Sequence, residues 1–195
     1  MASSLVSYTT ASTDNTSTGT INLPAGAVSG DVLILFIAKD GTAAPSVSGF
    51  TNQYAAVPTG SSSNDSLWWK VVAAEPSSYT INNNGNERAW FCLAAFREVD
   101  NAAPFESFNS YVNPSSDGNM EVPAINRSFA DQMCVAFMGL ESGNTGNPLN
   151  PTWSGAGWTT VSDNQNGPPG GGSGSASGAF ATQQTTNTGA LGPDS

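Results

Sequence analysis

Two runs decide the fold: Asp31-Val32-Leu33-Ile34-Leu35-Phe36-Ile37-Ala38-Lys39 and Arg88-Ala89-Trp90-Phe91-Cys92-Leu93-Ala94-Ala95-Phe96-Arg97. Each is apolar at nearly every position and bounded by charged residues. The first is too short and too β-branched to favour a helix, and both read as central strands covered on two faces. Outward from them, strand signals recur at short intervals between clusters of Gly, Pro, Asn and Ser, the spacing of a sandwich. Leu5 to Thr10 and Thr18 to Leu23 read as a first pair around the polar stretch Asp14-Asn15-Thr16-Ser17. Ser66 to Ala73 and Ser78 to Ile81 supply further strands before the second decisive run.

The order then repeats. Leu23-Pro24-Ala25 leads to Asp31 to Ile37, and Val122-Pro123-Ala124 leads to Asp131-Gln132-Met133-Cys134-Val135-Ala136-Phe137. Ser48-Gly49-Phe50-Thr51 is echoed by Ala156-Gly157-Trp158-Thr159, and a further strand follows a Ser/Asn-rich or Gly-rich loop in each half. The expected fold is therefore an all-β antiparallel sandwich, jelly-roll-like, built from two diverged half-repeats. Residues 1–110 form the first repeat, and residues 111–195 form a second, incomplete one packed with it. No counterpart of the run Arg88 to Arg97 follows Ala179 to Gln183. Such a gap leaves an unpaired sheet edge, so either the stretch is cut short or another element fills the slot, for example from a neighbouring subunit.

Composition narrows the function. A chain of 195 residues can bury a core without help from disulfides or metals. Only 10% of residues are charged, and the net charge is −10. Lys39, Lys70, Arg88, Arg97 and Arg127 are scattered singly, so no basic patch exists to displace counterions from nucleic acid, and anionic membranes are disfavoured too. No apolar run approaches a membrane span. Met1 to Ser7 shows neither the basic region nor the apolar core of a signal peptide, which points to synthesis in a cytoplasm. Cys92 and Cys134 each sit inside an apolar run and read as buried free thiols, with a disulfide between them as the alternative.

Little in the chain suggests catalysis. Histidine is absent, which removes Ser-His-Asp and Cys-His systems and most zinc sites. No phosphate-binding glycine loop precedes a helix, and no spacing singles out a carboxylate pair of the glycosidase kind. No cofactor or metal is expected. Asp31 and Asp131 open matching strands; they read as turn residues that accept hydrogen bonds from backbone amides, with a calcium ligand as the sharper alternative. The tryptophans are the richest candidates. Trp90 lies in a doubly covered run and belongs to the core. Trp68 and Trp69 are adjacent and must face opposite sides of a sheet. Together with Trp153 and Trp158 they are candidates for a subunit interface or for stacking on a sugar.

The succession Leu23-Pro24-Ala25-Gly26-Ala27-Val28-Ser29-Gly30-Asp31, Gly49-Phe50-Thr51, Trp69-Lys70-Val71-Val72 and Phe96-Arg97-Glu98-Val99-Asp100 resembles the β-sandwich modules of tailed-phage virion proteins, among them capsid decoration (cement) proteins, head fibres and tail-associated proteins. The resemblance is clearest over residues 20–105; in the second half the Gly-Asp step becomes Ala130-Asp131 and the Arg-x-Val-Asp ending is missing. It implies a non-enzymatic virion protein, made in the host cytoplasm and placed on the virion surface. Such a protein would bind the major capsid protein and self-associate, as cement proteins do when they form homotrimers. The alternative it leaves open is a tail or fibre module binding host-surface carbohydrate.

Overall fold

The computed structural model describes residues 2–56, 63–110, 124–142, 157–166, 175–186 and 188–191. Every regular element among them is a strand, and all the pairings are antiparallel. The elements are β1 (Ser4–Asn22), β2 (Val32–Asp40), β3 (Ser46–Val47), β4 (Thr51–Ala56), β5 (Ser63–Val71), β6 (Ser78–Arg97), β7 (Ile125–Arg127), β8 (Met133–Ser142), β9 (Thr159–Asn166), β10 (Ser175–Gln184) and β11 (Gly189–Leu191). The main sheet runs β1-β6-β2-β5-β4, with β3 added to β6; a second sheet runs β8-β10-β9, and β11 pairs with β7.

The two decisive runs lie side by side at the centre. Val32 pairs with Phe96 and Lys39 with Ala89, with an unbroken register between. Their alternate side chains enter two separate cores. Leu33, Leu35, Ile37, Phe91 and Leu93 face one; Val32, Ile34, Phe36, Trp90 and Phe96 face the other.

The first core is closed by the main sheet folding over itself. Leu5 to Thr10 and Thr18 to Leu23 are two ends of one strand, not a separate pair, and Ser78 to Ile81 is likewise continuous with the run Arg88 to Arg97. The polar residues between them are corners. Asn15 (φ 48°) and Asn84 (φ 51°) adopt left-handed backbone, which Asn tolerates because its short amide bonds locally. The β1–β6 register slips twice between Thr13 and Thr18, so the paired strands bend there together. Ile21, Ile81 and Val47 are thereby carried back over Leu33, Leu35 and Phe91. Gly19 admits this approach: a Cβ at that position would collide with the Phe91 ring.

The second core is closed by the β8-β10-β9 sheet. Phe180 of β10 stacks on Phe137 of β8 (centroids 4.7 Å apart), and Phe137 stacks on Phe36 of β2 (5.3 Å). Phe180 also meets Phe96 edge-on, and Gly178 lies so close to Trp90 that a Cβ would strike the indole. The molecule thus has three layers, with the main sheet in the middle, which explains why β2 and the end of β6 read as apolar on both faces.

The strand order β8-β10-β9 copies the order β2-β5-β4. Gly49 and Gly157 both take positive φ two residues before β4 and β9 respectively. The backbone also fixes the alignment at the strand starts. Val72 N–H donates to Asp31 O, and Thr185 N–H donates to Gln132 O. Gln132, rather than Asp131, therefore stands where Asp31 does. Asp131 takes the place of Gly30, and both have positive φ (59° and 95°). One difference separates the copies: β2 is paired on both sides, by β5 and β6, whereas β8 pairs only with β10 among the described residues.

Candidate functional site

Beside the edge of β8 that has no strand partner among the described residues lies a groove of about 710 Å³. Its floor is the face of the main sheet that carries the second core, lined by the buried Ile34, Phe36 and Leu67 and the half-buried Tyr54. One wall is β8 from Met133 to Gly139, and the other is the connection after β6, from Val99 to Ser110. That connection is tied to the sheet by aromatic contacts, Phe105 against Trp69 (6.3 Å) and Phe108 against Tyr54 (5.1 Å). Asp100 turns it by accepting from the amides of Ala102 and Ala103. Large apolar side chains seldom remain exposed without a reason when clustered. Phe108 (40% exposed) and Phe129 (67%) both line this groove.

The groove is acidic. Among the described residues Asp65, Glu98, Asp100, Glu106 and Asp131 line it against a single basic residue, Arg127. Glu106 is held below the usual carboxylate range, first by a hydrogen bond from the Ser128 side chain, then by bonds from Gln132 and the Ser128 amide, with burial opposing. It therefore keeps its charge at neutral pH.

Of the residues singled out from sequence, Trp158, Asp131 and Cys134 line the groove, whereas Trp68, Trp69 and Asp31 do not. Trp68 packs against the first core and donates to Ser66 Oγ at 2.9 Å; Trp69 packs against the second core. The neighbours do face opposite sides, but each is half-buried against its own core. Trp153 lies outside the described residues. Asp31 is buried and accepts two hydrogen bonds from Arg97 (2.9 and 2.8 Å) and one from the Val28 amide (2.9 Å). The Arg97 guanidinium holds its carboxyl below the usual value, the Val28 amide adds to that, and burial works against both. Among the described residues no group of His, Cys, Asp and Glu is arranged to hold a metal ion.

Sequence reasoning missed three things. Arg97 is the partner of Asp31, so the two residues bounding the decisive runs clamp the start of β2 to the end of β6. Glu75 gathers Lys70 Nζ and Tyr79 Oη, each at 2.6 Å, at another corner. Phe108 and Phe129 escaped notice because they stand in polar surroundings with no periodicity; an isolated phenyl between charged and Ser/Asn residues was the available signal.

Lys39 is buried, and its Nζ donates to Ala43 O and Asn83 O (2.8 and 2.6 Å) at the folded corner, while burial lowers its pKa. Cys92 and Cys134 are both free and buried, and burial raises the pKa of each thiol. No protein-family model, no curated protein and no solved structure matches this chain. No helix among the described residues is long and apolar enough to cross a membrane.

Proposed function

We propose that this chain is a non-enzymatic virion structural protein, a capsid decoration or cement protein that stabilises the shell by binding major capsid protein subunits. The observation that carries this reading is an aromatic, acidic groove on a three-layer scaffold, beside the edge of β8 that has no strand partner among the described residues. Sheet edges are either blocked or used, and a groove with exposed phenyl rings on one side supports use. The polar groups in and around the cores support a non-catalytic role as well. Asp31–Arg97, Lys70–Glu75 and Arg88–Asp14 are ion pairs that brace strands and corners. The resemblance over residues 20–105 supplies the virion part of the proposal. It brings with it placement on the virion surface after synthesis in the host cytoplasm, and self-association as a homotrimer.

Co-sedimentation with the source particle tests this reading. Hundreds of copies in a fixed ratio to the major capsid protein are the expected result, and absence from the particle would overturn it. A second reading has its own support: Trp158, Phe108 and Phe129 around one groove could stack on a sugar as a tail or fibre module does. A handful of copies per particle, together with a glycan-array signal lost in Phe129→Ala, would favour that reading instead.

A further inference from the structure

We infer that the β8 groove is a strand-acceptor site, filled by an extended segment of a different polypeptide, apolar at alternate positions and flanked by basic residues, that pairs antiparallel with β8. The inference rests on the proposed binding role and specifies the partner's chemistry.

Three observations converge on it. The first is the internal repeat. In the first copy, β2 carries β5 on one side and β6 on the other; in the second, β8 carries β10 on one side and the groove on the other. The groove therefore occupies the position of a β6 counterpart, and β6 runs antiparallel to β2 over the eight pairs from Val32/Phe96 to Lys39/Ala89. The second is the floor. A strand entering there would lay alternate side chains over the buried Ile34 and Leu67 and against the half-buried Tyr54 and exposed Phe108, so apolar residues at every second position suit it. The third is charge. Five acids face one Arg around the groove, so a segment with basic ends is attracted. The part of β6 that fills the corresponding place in the first copy, Ala89 to Phe96, is bounded by Arg88 and Arg97. At this groove a second copy of this chain is the weaker candidate, because a chain of net charge −10 does not complement an acidic lining, and trimer formation would use another face.

The binding is non-covalent. Outward N–H and C=O groups of β8 exchange water for the backbone of the incoming strand, and the side chains set the register.

The test uses the full chain and synthetic peptides the length of β8. One alternates Thr and Val between terminal Arg residues; a second carries Glu at both ends; a third has Pro at two internal positions. Saturable binding of the first, with the second and third much weaker, is the expected outcome. The double variant Glu98→Gln/Asp131→Asn, both exposed positions with left-handed backbone, should weaken the first peptide by about two- to fivefold per charge removed, the size of an exposed ion pair. Equal binding of the Pro peptide would overturn strand pairing, and equal binding of the Glu peptide would overturn the basic partner. No binding of any peptide would overturn the inference altogether. Concentration-dependent self-association abolished by Phe129→Ser would assign the groove to a second copy and overturn the heterologous partner. Failure here with intact particle binding removes only this inference; peptide binding without particle binding removes only the virion function.

Discussion

Asp31 is the residue on which most of the local structure converges. Its carboxylate joins the turn amide of Val28 to the guanidinium of Arg97, and it is buried where Arg97 remains partly exposed. Asp31→Ala should cost about 1–3 kcal/mol, because it leaves the Val28 amide and one face of Arg97 without their charged acceptor; chemical denaturation measures it. The pH dependence follows from the direction of the shift. A carboxyl held below its ordinary value of 3.8 in the fold stabilises the protein above that value, and loses the contribution as pH falls through the folded pKa. Acid titration of wild type should therefore show a loss of stability below about pH 4 that is reduced in Asp31→Asn. Both thiols should resist an aqueous thiol reagent in the native state, Cys92 the more so because it lies wholly within the second core, and both should react on unfolding. Burial of both cysteines was legible in the apolar runs around them. The Asp31–Arg97 pair was not, since its partners are sixty-six positions apart and only the pairing of β2 with β6 brings them together.

Elements tell a similar story with a different limit. The doubly apolar character of β2 and the end of β6 fixed their central place, because a strand covered on two faces has no polar side to show. The corners were harder to read. Polar residues at Asp14 to Ser17 and Asn82 to Asn86 look like hairpin turns in sequence, but they are bends within long paired strands, and the two cannot be told apart without knowing the partner strand. Close contacts between layers depend on small residues. Gly178→Ala should force the β10 backbone away from Trp90 and destabilise the protein by about 1–3 kcal/mol, with partial recovery when combined with Trp90→Phe. Removing the link itself costs more: Phe180→Ala should lower stability by about 3–5 kcal/mol, since Phe180 is fully buried between Phe137 and Phe96. Thermal unfolding of the four proteins measures both effects.

On the scale of the whole molecule, the two halves share a core that neither contains alone. Phe36, Trp90 and Phe96 belong to the first half but are covered by Phe137 and Phe180 of the second. A fragment of residues 1–110 should accordingly aggregate or bind a hydrophobic dye, while the full chain unfolds in one transition. The strand order that β8-β10-β9 shares with β2-β5-β4 was legible in sequence order. The groove was not, because it is formed by parts of seven separate stretches of chain that only the three-layer packing assembles. The account depends most on the β8 edge being open in the free protein and closed in the complex. Residue-resolved hydrogen exchange across β8 tests that directly. In the free protein alternate amides of β8 should exchange quickly and their neighbours, bonded to β10, slowly, while β2 is slow throughout; on binding the fast set should become protected. Uniform protection along β8 in the free protein would mean that its edge is already paired, and would contradict the account.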